Sequence, residues 1–255
     1  MIANFHTHTR RCHHAKGEDR EYVLAAIAAG IKYLGFADHS PYWFPGEYYS
    51  THRMKPSEVP EYVGSIQALR EEFKDEITIY IGYEMEYYPD YFGKAMEIID
   101  SAPHDYLILG QHYINNEIGQ THCAFASSDP AVLDAYVKQV IDGMKTGKFF
   151  YVCHPDVINF TGDADYYKMK MTELCTEAKT LDIPLEINFL GIRSEKHYPT
   201  DAFWKIAGDI GCRAIFGCDA HSPREMALQS DITAAQHIAD KFGLNIIEPT
   251  SPIKK

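Results

Sequence analysis

The sequence predicts an α/β fold, a distorted TIM-barrel-like (β/α)7 barrel with seven parallel strands. Short β-rich runs alternate with helical segments, and the runs end in polar side chains such as His, Asp, Glu and Asn. The chain has 255 residues and a hydrophobic content of 45%, which is enough for one sizeable core. We therefore expect a single domain over residues 1–255, with its active site at the carboxyl ends of the strands.

Seven β-rich runs define the predicted strands. They cover residues 2–6, 33–37, 77–83, 105–110, 149–153, 185–188 and 214–218. Helical patterns lie between and after them, at residues 20–29, 58–73, 92–99, 131–144, 166–181, 201–210 and 224–242. This alternation is typical of parallel strands joined by helical crossovers. A long loop rich in proline and aromatic residues, 40–56, follows the second strand and either overhangs the site or packs as a surface excursion.

The composition restricts the classes of partner. A net charge of -12 argues against a broad nucleic-acid-binding surface, whereas bound metal would still supply local positive charge for a small phosphate ester. No apolar run is long enough for a membrane span, and the first residues lack a signal-peptide pattern. We expect a cytoplasmic protein with no membrane partner; the sequence does not specify its oligomeric state. The six cysteines form no CxxC pair and are expected to be buried.

Two histidine-containing pairs lie at opposite ends of the chain. His6 and His8 flank Thr7, and Asp219 and His221 flank Ala220. Residues i and i+2 of a strand lie on one face, roughly 6.5 Å apart, so each pair can converge on one metal. Because a parallel barrel brings its first and last strands together, the two pairs are expected to share one cluster.

Further candidate ligands end the intervening strands. Asp38-His39, Glu84, His112 and His154 each follow a separate strand, and convergence on one barrel face favours metal binding over isolated structural roles. The first βα loop adds His13 and His14, between which the residues alone do not decide.

In this order, the motifs resemble those of the polymerase and histidinol phosphatase (PHP) superfamily, and most closely its histidinol-phosphate phosphatases. The resemblance rests on the motifs HTH, Cys12-x-His14, Asp38-His39, Gly82-x-Glu84, Gln111-His112, His154-Pro155 and Asp219-x-His221, and it spans residues 6–221. It implies a metal-dependent phosphatase with two or three divalent ions. Imidazole and carboxylate ligands suit zinc, manganese or iron.

The resemblance also implies a ligand set. The first metal would be bound by His6, His8, Glu84 and Asp219, the second by Glu84, His112 and His154, and the third by His14, His39 and His221. It favours His14 over His13 and Glu84 over Glu86. Many members of the superfamily carry an acidic residue at the position of His14, so a third metal bound by imidazoles alone is expected to be held weakly.

The implied reaction is hydrolysis of L-histidinol phosphate, a step of histidine biosynthesis, by attack of a metal-bridging hydroxide. Seven neutral histidines, Glu84 and Asp219 contribute -2 against +6 from three divalent ions, which leaves +4 for a dianionic phosphate. Glu84 and Asp219 are thus predicted to be catalytic, with Asp38 orienting a ligand from behind. Arg193, in a segment like the one before a phosphate-contacting arginine in these relatives, is predicted to be catalytic and to grip phosphate.

Two further substrate contacts are predicted, and other functions remain open. Arg53 is a second candidate for phosphate, and Trp43, with its aromatic neighbours, is a candidate for stacking on an imidazole ring. One alternative is a PHP-type phosphoesterase acting on nucleotides or oligonucleotides. Another is an amidohydrolase, although no eighth strand or bridging lysine is predicted. The non-enzymatic alternative is a metal-stabilised interaction module.

Overall fold

A computed structural model describes residues 1–119 and 121–252, whose strands form one parallel sheet. Its strands are β1 (Ala3–Asn4), β2 (Tyr33–His39), β3 (Thr78–Met85), β4 (Tyr106–Leu109), β5 (Phe149–Val152), β6 (Leu185–Asn188), β7 (Arg213–Gly217) and β8 (Asn245–Ile246). Each strand pairs in parallel with the next one in the chain. All seven predicted strands are present, and β8 is a short addition that the sequence did not predict.

The sheet curls so that its first strand meets the segment after β7. Thr7 and Ala220 form a parallel bridge, and the His8 amide donates to the Ala220 carbonyl at 3.0 Å. This contact brings the two histidine-containing pairs side by side, as predicted. The distorted TIM-like barrel is confirmed, with the two-residue β8 pairing against the start of β7.

Helices alternate with the strands. They are α1 (Asp19–Ala28), α2 (Val59–Glu72), α3 (Phe92–Ile99), α4 (Pro130–Lys145), α5 (Ala164–Thr180), α6 (Phe189–Arg193), α7 (Asp201–Ile210) and α8 (Gln229–Phe242). N-cap side chains fix where several helices begin. The side chains of Asp129, Asp163 and Thr200 each accept a hydrogen bond from a backbone N–H in the first turn of the helix that follows. Two differences from the prediction concern the site: α6 was not predicted, and α8 begins at Gln229 rather than Arg224.

Two apolar cores hold the barrel together. The larger packs the helices against the outside of the sheet, while the smaller fills the barrel around Phe5, Tyr106 and Tyr151. The Tyr106 hydroxyl donates to the carbonyls of Phe5 and Phe36 at 2.8 and 3.0 Å. This filled interior closes the barrel below the site, so chemistry is confined to the end where the strands finish.

The loop after β2 is a packed excursion. Tyr42, Phe44 and Met54 are buried, and rings of Tyr42 and Phe44 stack at 5.6 Å. Trp43 is exposed, as are Tyr48 and Tyr49. Among the helices described, none is long and apolar enough to cross a membrane.

Candidate metal centre

The first group of ligands gathers where β1, β3 and β7 end. The Nε2 atoms of His6 and His8 lie 3.2 Å apart, and Asp219 Oδ1 lies 3.6 and 3.0 Å from them. Glu84 Oε2 is 3.6 Å from each of the two Nε2 atoms. All four side chains are buried. Four donor atoms therefore point at one small volume, as the ligand set for the first metal requires.

The second group uses the other oxygen of Glu84. Its Oε1 lies 2.8 Å from His154 Nε2 and 3.4 Å from His112 Nε2. Gly110, at the end of β4, makes this approach possible, because a Cβ there would lie 2.1 Å from Glu84 Oε1. Glu84 is thus placed between two groups of imidazoles, the geometry of a bridging carboxylate.

The third group consists of imidazoles from the first βα loop (His14), the end of β2 (His39) and the loop after β7 (His221). Ligand atoms of His14, His39 and His221 all lie within 4.8 Å of one another. His13, the alternative left open by the sequence, is turned away and contacts the Tyr49 hydroxyl at 2.9 Å through Nε2. His14 rather than His13 thus lies beside His39 and His221, and this group is the most exposed of the three.

Carboxylates behind the imidazoles orient three of them. His6 Nδ1 lies 2.8 Å from Glu186, His112 Nδ1 lies 2.9 Å from Glu86, and His8 Nδ1 lies 3.4 Å from Asp38. An Nδ1–H that donates to a carboxylate leaves the Nε2 lone pair free for a metal. Of these carboxylates, the sequence predicts an orienting role for Asp38 only; the positions of Glu86 and Glu186 behind histidines are not predicted.

The donor atoms fit divalent cations. Glu84 Oε2, Asp219 Oδ1 and His221 Nε2 are buried and make no hydrogen bond within residues 1–119 and 121–252. Lone pairs of His6 and His8 would face each other and two carboxylates, an arrangement that a cation stabilises. Burial opposes ionisation, yet the neighbouring imidazoles hold the pKa of Glu84 and of Asp219 well below the usual range. Both carboxylates therefore stay charged.

Backbone strain is concentrated at two of these ligands. His154 has φ of 32° and Asp219 has φ of 44°, in the left-handed region that favours glycine. Such conformations persist only where the surrounding structure imposes them, and they often mark functional sites. Here they turn the chain sharply after β5 and β7, so that both side chains face the barrel mouth.

Two cysteines lie close to the ligands. Cys153 Sγ is 3.4 Å from Glu84 Oε1, and Cys12 lies near His8 and His221. Burial raises the pKa of both thiols, so they remain protonated, and the Cys153 thiol donates to Glu84. These cysteines fit the role of small buried neighbours better than that of thiolate ligands.

Comparison with known proteins gives matches over most of the chain. The profile described as "PHP domain" matches residues 4–189. The chain belongs to the PHP domain family. A relative along the whole chain is the "Probable histidinol-phosphatase" of Deinococcus radiodurans, 26% identical, covering 96% of this chain and 95% of the relative.

PHP proteins from Lactococcus lactis give two further matches. A histidinol-phosphatase is 34% identical over 44% of this chain and 40% of its own length. The crystal structure of histidinol phosphate phosphatase complexed with zinc, L-histidinol and phosphate superposes with a TM-score of 0.75 at 23% identity, covering 99% of this chain and 98% of that one. The second match establishes the likeness of fold.

A cavity of about 420 Å³ opens above the three groups of imidazole and carboxylate side chains. Its lining includes His14, His39, Glu84, His112, His154, Asp219 and His221, together with His52, Arg53, Tyr113, His122, Lys196 and Tyr198. His52 and His122, which the sequence analysis does not assign to the site, therefore line the same cavity. Burial lowers the pKa of His122 to about 3 and that of His39 to about 4, so both imidazoles are neutral at physiological pH.

The residues predicted to contact the substrate do not all lie where the sequence predicts. Arg193 ends α6 and does not line the cavity; its guanidinium donates to Asp231 at 2.9 Å and to the Cys218 and Asp219 carbonyls at 3.3–3.4 Å. The short helix α6 directs this side chain to the back of the Asp219 turn. Arg193 therefore lies behind the Asp219 turn rather than on the cavity wall.

Arg53 and Trp43 also differ from expectation. Arg53 lines the cavity but is buried and bonded to Glu86 at 3.0 Å and to Glu117 at 2.8 Å. Trp43 is 45% exposed, does not line the cavity, and carries the Lys94 ammonium 3.2 Å from its ring centroid. The structure does not bring Trp43 to the site, because the loop turns its buried neighbours Tyr42 and Phe44 inward instead.

Proposed function

We propose that this protein is a metal-dependent phosphatase that hydrolyses L-histidinol phosphate to L-histidinol and phosphate, in the cytoplasm and as a step of histidine biosynthesis. The observation that carries the proposal is the convergence of nine imidazole and carboxylate side chains in three groups, seven of which line one cavity. The histidinol-phosphatase name of relatives that match along the whole chain supports the choice of substrate.

The ligand groups determine what can be bound. Divalent ions held there would supply positive charge for phosphate oxygens and lower the pKa of water. Glu84 and Asp219 are charged and buried, and Glu84 joins the first group to the second. In this proposal, the role of the protein is to hold the donor atoms in place and to keep the cavity small. A volume of about 420 Å³ suits a small ester rather than an oligonucleotide.

We assign the phosphate contact to Lys196 rather than Arg193. Lys196 lines the cavity, lies 5.9 Å from the centre of the Tyr198 ring, and forms no salt bridge in the described part of the chain. Arg193 and Arg53, by contrast, are paired with buried carboxylates. An unpaired ammonium beside the site is free to approach an anionic phosphate oxygen.

For the organic half of the substrate, the cavity offers an aromatic wall. Tyr113 and His122 lie 4.9 Å apart between ring centres, and Phe125, 66% exposed, lies 6.1 Å from His122. Because His122 is neutral, it does not repel a cationic imidazole. We propose that the substrate imidazole packs against this wall.

A substrate comparison tests the proposal. Protein reconstituted with manganese or zinc would be assayed for phosphate release from L-histidinol phosphate, p-nitrophenyl phosphate and bis-p-nitrophenyl phosphate. The proposal predicts the highest kcat/KM for L-histidinol phosphate and little hydrolysis of the diester. Higher kcat/KM for the diester would instead assign the site to a phosphodiesterase.

A further inference from the structure

Glu186 lies on β6, within the barrel and beneath the metal ligands. It is fully buried, and its two oxygens accept from four donors. Oε1 lies 2.8 Å from His6 Nδ1 and 3.3 Å from the Tyr151 hydroxyl, while Oε2 accepts the His154 amide at 3.0 Å and the Asn188 side chain at 2.9 Å. One carboxylate thus contacts a ligand of the first group and a ligand of the second.

Asn188, two residues later on the same strand, extends this connection to β7. Its Oδ1 accepts the Gly191 amide at 2.9 Å, which fixes the orientation of the side-chain amide. Nδ2 must then face the two carboxylates, and it donates to Glu186 at 2.9 Å and to Asp219 at 3.1 Å. Asn188 therefore joins Glu186 to a second ligand of the first group.

The neighbouring strand leaves space for Glu186. A Cβ on Gly217 would lie 1.7 Å from Glu186 Oε1, so glycine is required there while the carboxylate keeps its place. The backbone of β7 ends at this glycine, immediately before Cys218 and the strained Asp219. Gly217 therefore affects both features: it leaves room for the Glu186 carboxylate, and it ends the strand just before the turn that contains Asp219.

We propose that Glu186 and Asn188 form a positioning pair that sets the spacing between the first and second metal groups. Neither residue is assigned as a ligand. In two-metal sites the ions typically lie about 3.5–4 Å apart. The pair Glu186 and Asn188 connects His6, His154 and Asp219 to one strand. The inference rests on the metal centre of the proposed function but does not depend on the identity of the substrate.

The chemistry of Glu186 predicts what its loss would do. All four neighbours donate to it, so an isosteric Glu186→Gln change places an NH₂ group where only an acceptor fits, and at least one bond is broken. Replacing the partner behind a metal ligand typically weakens metal binding by about 10–100-fold. Because Glu186 contacts both groups, the first two metal ions should both bind more weakly.

Metal affinity, rather than turnover, gives the direct test. Protein stripped of metal would be titrated with zinc in competition with a chromophoric chelator, for wild type, Glu186→Gln, Asn188→Ala and Asp105→Asn. Asp105 is a matched control, because it also accepts a backbone amide (from Ile81, at 2.7 Å) but lies at the start of β4, away from the ligands. Thermal unfolding of stripped and zinc-loaded protein would be recorded alongside.

We expect Glu186→Gln to weaken the two tightest zinc sites by about 10–100-fold and Asn188→Ala to weaken the tightest by about 10-fold. The zinc-dependent rise in Tm should shrink in both variants and stay unchanged in Asp105→Asn. A purely structural role would instead lower Tm equally with and without zinc, at wild-type affinity, and would overturn the inference.

Two other outcomes are also decisive. If the Glu186→Gln protein is not cooperatively folded, the Asn188→Ala protein decides: zinc affinity equal to that of wild type would overturn the inference. If neither variant folds, the inference is also overturned. Failure of the proposed function is distinguishable, because it would appear as zinc-loaded wild-type protein that does not hydrolyse L-histidinol phosphate, whatever the affinities of the variants.

Discussion

The floor and the rim of the cavity are built in different ways. On the floor, His6, Glu84 and His154 lie at or just after the ends of strands and are buried against one another. On the rim, Arg53 and Lys196 come from loops, one locked between carboxylates and the other exposed. Parallel topology therefore fixes the buried donor atoms at the strand ends, whereas the direction of each rim side chain depends on how its loop packs.

The largest effect is expected on the floor, at Glu84. Glu84→Gln removes the carboxylate shared by the first two groups, and we predict that kcat/KM for L-histidinol phosphate falls by about 10³-fold or more. Glu76→Gln, at an exposed position, should leave kcat/KM unchanged. Near-normal turnover by Glu84→Gln would show that the floor is not the reacting site.

Arg53, on the rim, contacts Glu86, which in turn contacts His112 on the floor of the cavity. Although burial opposes it, the Arg53 guanidinium lowers the pKa of Glu86, the carboxylate that orients His112. Arg53→Met leaves Glu86 and Glu117 buried without a cation, so the free energy of unfolding should fall by about 3–5 kcal/mol. Urea unfolding would measure this, with Arg20→Met, which breaks an exposed pair with Glu72, as a control expected to lose less than about 1 kcal/mol. Equal losses would refute a special role for Arg53.

Asp156, a buried carboxyl two residues after His154, supplies a test by pH. Burial raises its pKa to about 7, against the effect of hydrogen bonds such as that from the Thr200 amide at 2.6 Å. The folded protein therefore keeps a proton that the unfolded chain loses above about pH 4, and the stabilising contribution disappears as pH rises through 7.

Relative to Asp156→Asn, wild-type protein should thus lose about 2–4 kcal/mol of unfolding free energy between pH 4 and 8. Urea unfolding across this range would check the difference. Parallel pH curves for the two proteins would mean that the buried carboxyl does not titrate as inferred.

Variants of Lys196 and Arg193 distinguish a residue that contacts the substrate from one that positions a neighbouring side chain. Lys196→Met should raise KM for L-histidinol phosphate by about 10-fold, the effect of losing one charge-assisted contact, with Lys196→Arg restoring most of it. Arg193→Met should instead lower kcat, because it releases the turn that carries Asp219. Steady-state kinetics would distinguish the two, and the reverse pattern would return the phosphate contact to Arg193.

The smallest effect is expected at Trp43. Because its ring packs under Lys94 outside the cavity, Trp43→Ala should change kcat/KM for L-histidinol phosphate by less than about 2-fold. Tyr113→Ala, in the cavity wall, is the matched comparison and should raise KM. A larger effect at Trp43 than at Tyr113 would reverse the assignment of the aromatic contact.

The sequence predicted the floor because its signals are local. A β-rich run shows where a strand ends, and parallel topology then brings His6, Glu84, His154 and Asp219 together without knowledge of any loop. Choosing His14 over His13 required the resemblance to a known family, and the contact between His13 and Tyr49 supplies the physical reason.

Other features could not be predicted because they depend on distant partners. The direction of Arg193 is set by the short helix α6 and by Asp231, which lies 38 residues further along the chain. Glu186 sits within a buried strand, where alternation alone does not identify a second role for a carboxylate. The signal that could have found it is the pair Glu186 and Asn188, two polar residues on one face of a strand that is otherwise apolar.

If the strand-end residues form a metal centre that hydrolyses L-histidinol phosphate, activity must follow metal content, and a metal titration of activity measures this dependence. Manganese or zinc would be added back to chelator-stripped protein in steps up to three equivalents, and phosphate release would be measured at each step. We expect almost no activity in stripped protein and a steep rise once two equivalents are bound. Hydrolysis unaffected by stripping, or absent at full loading, would contradict it.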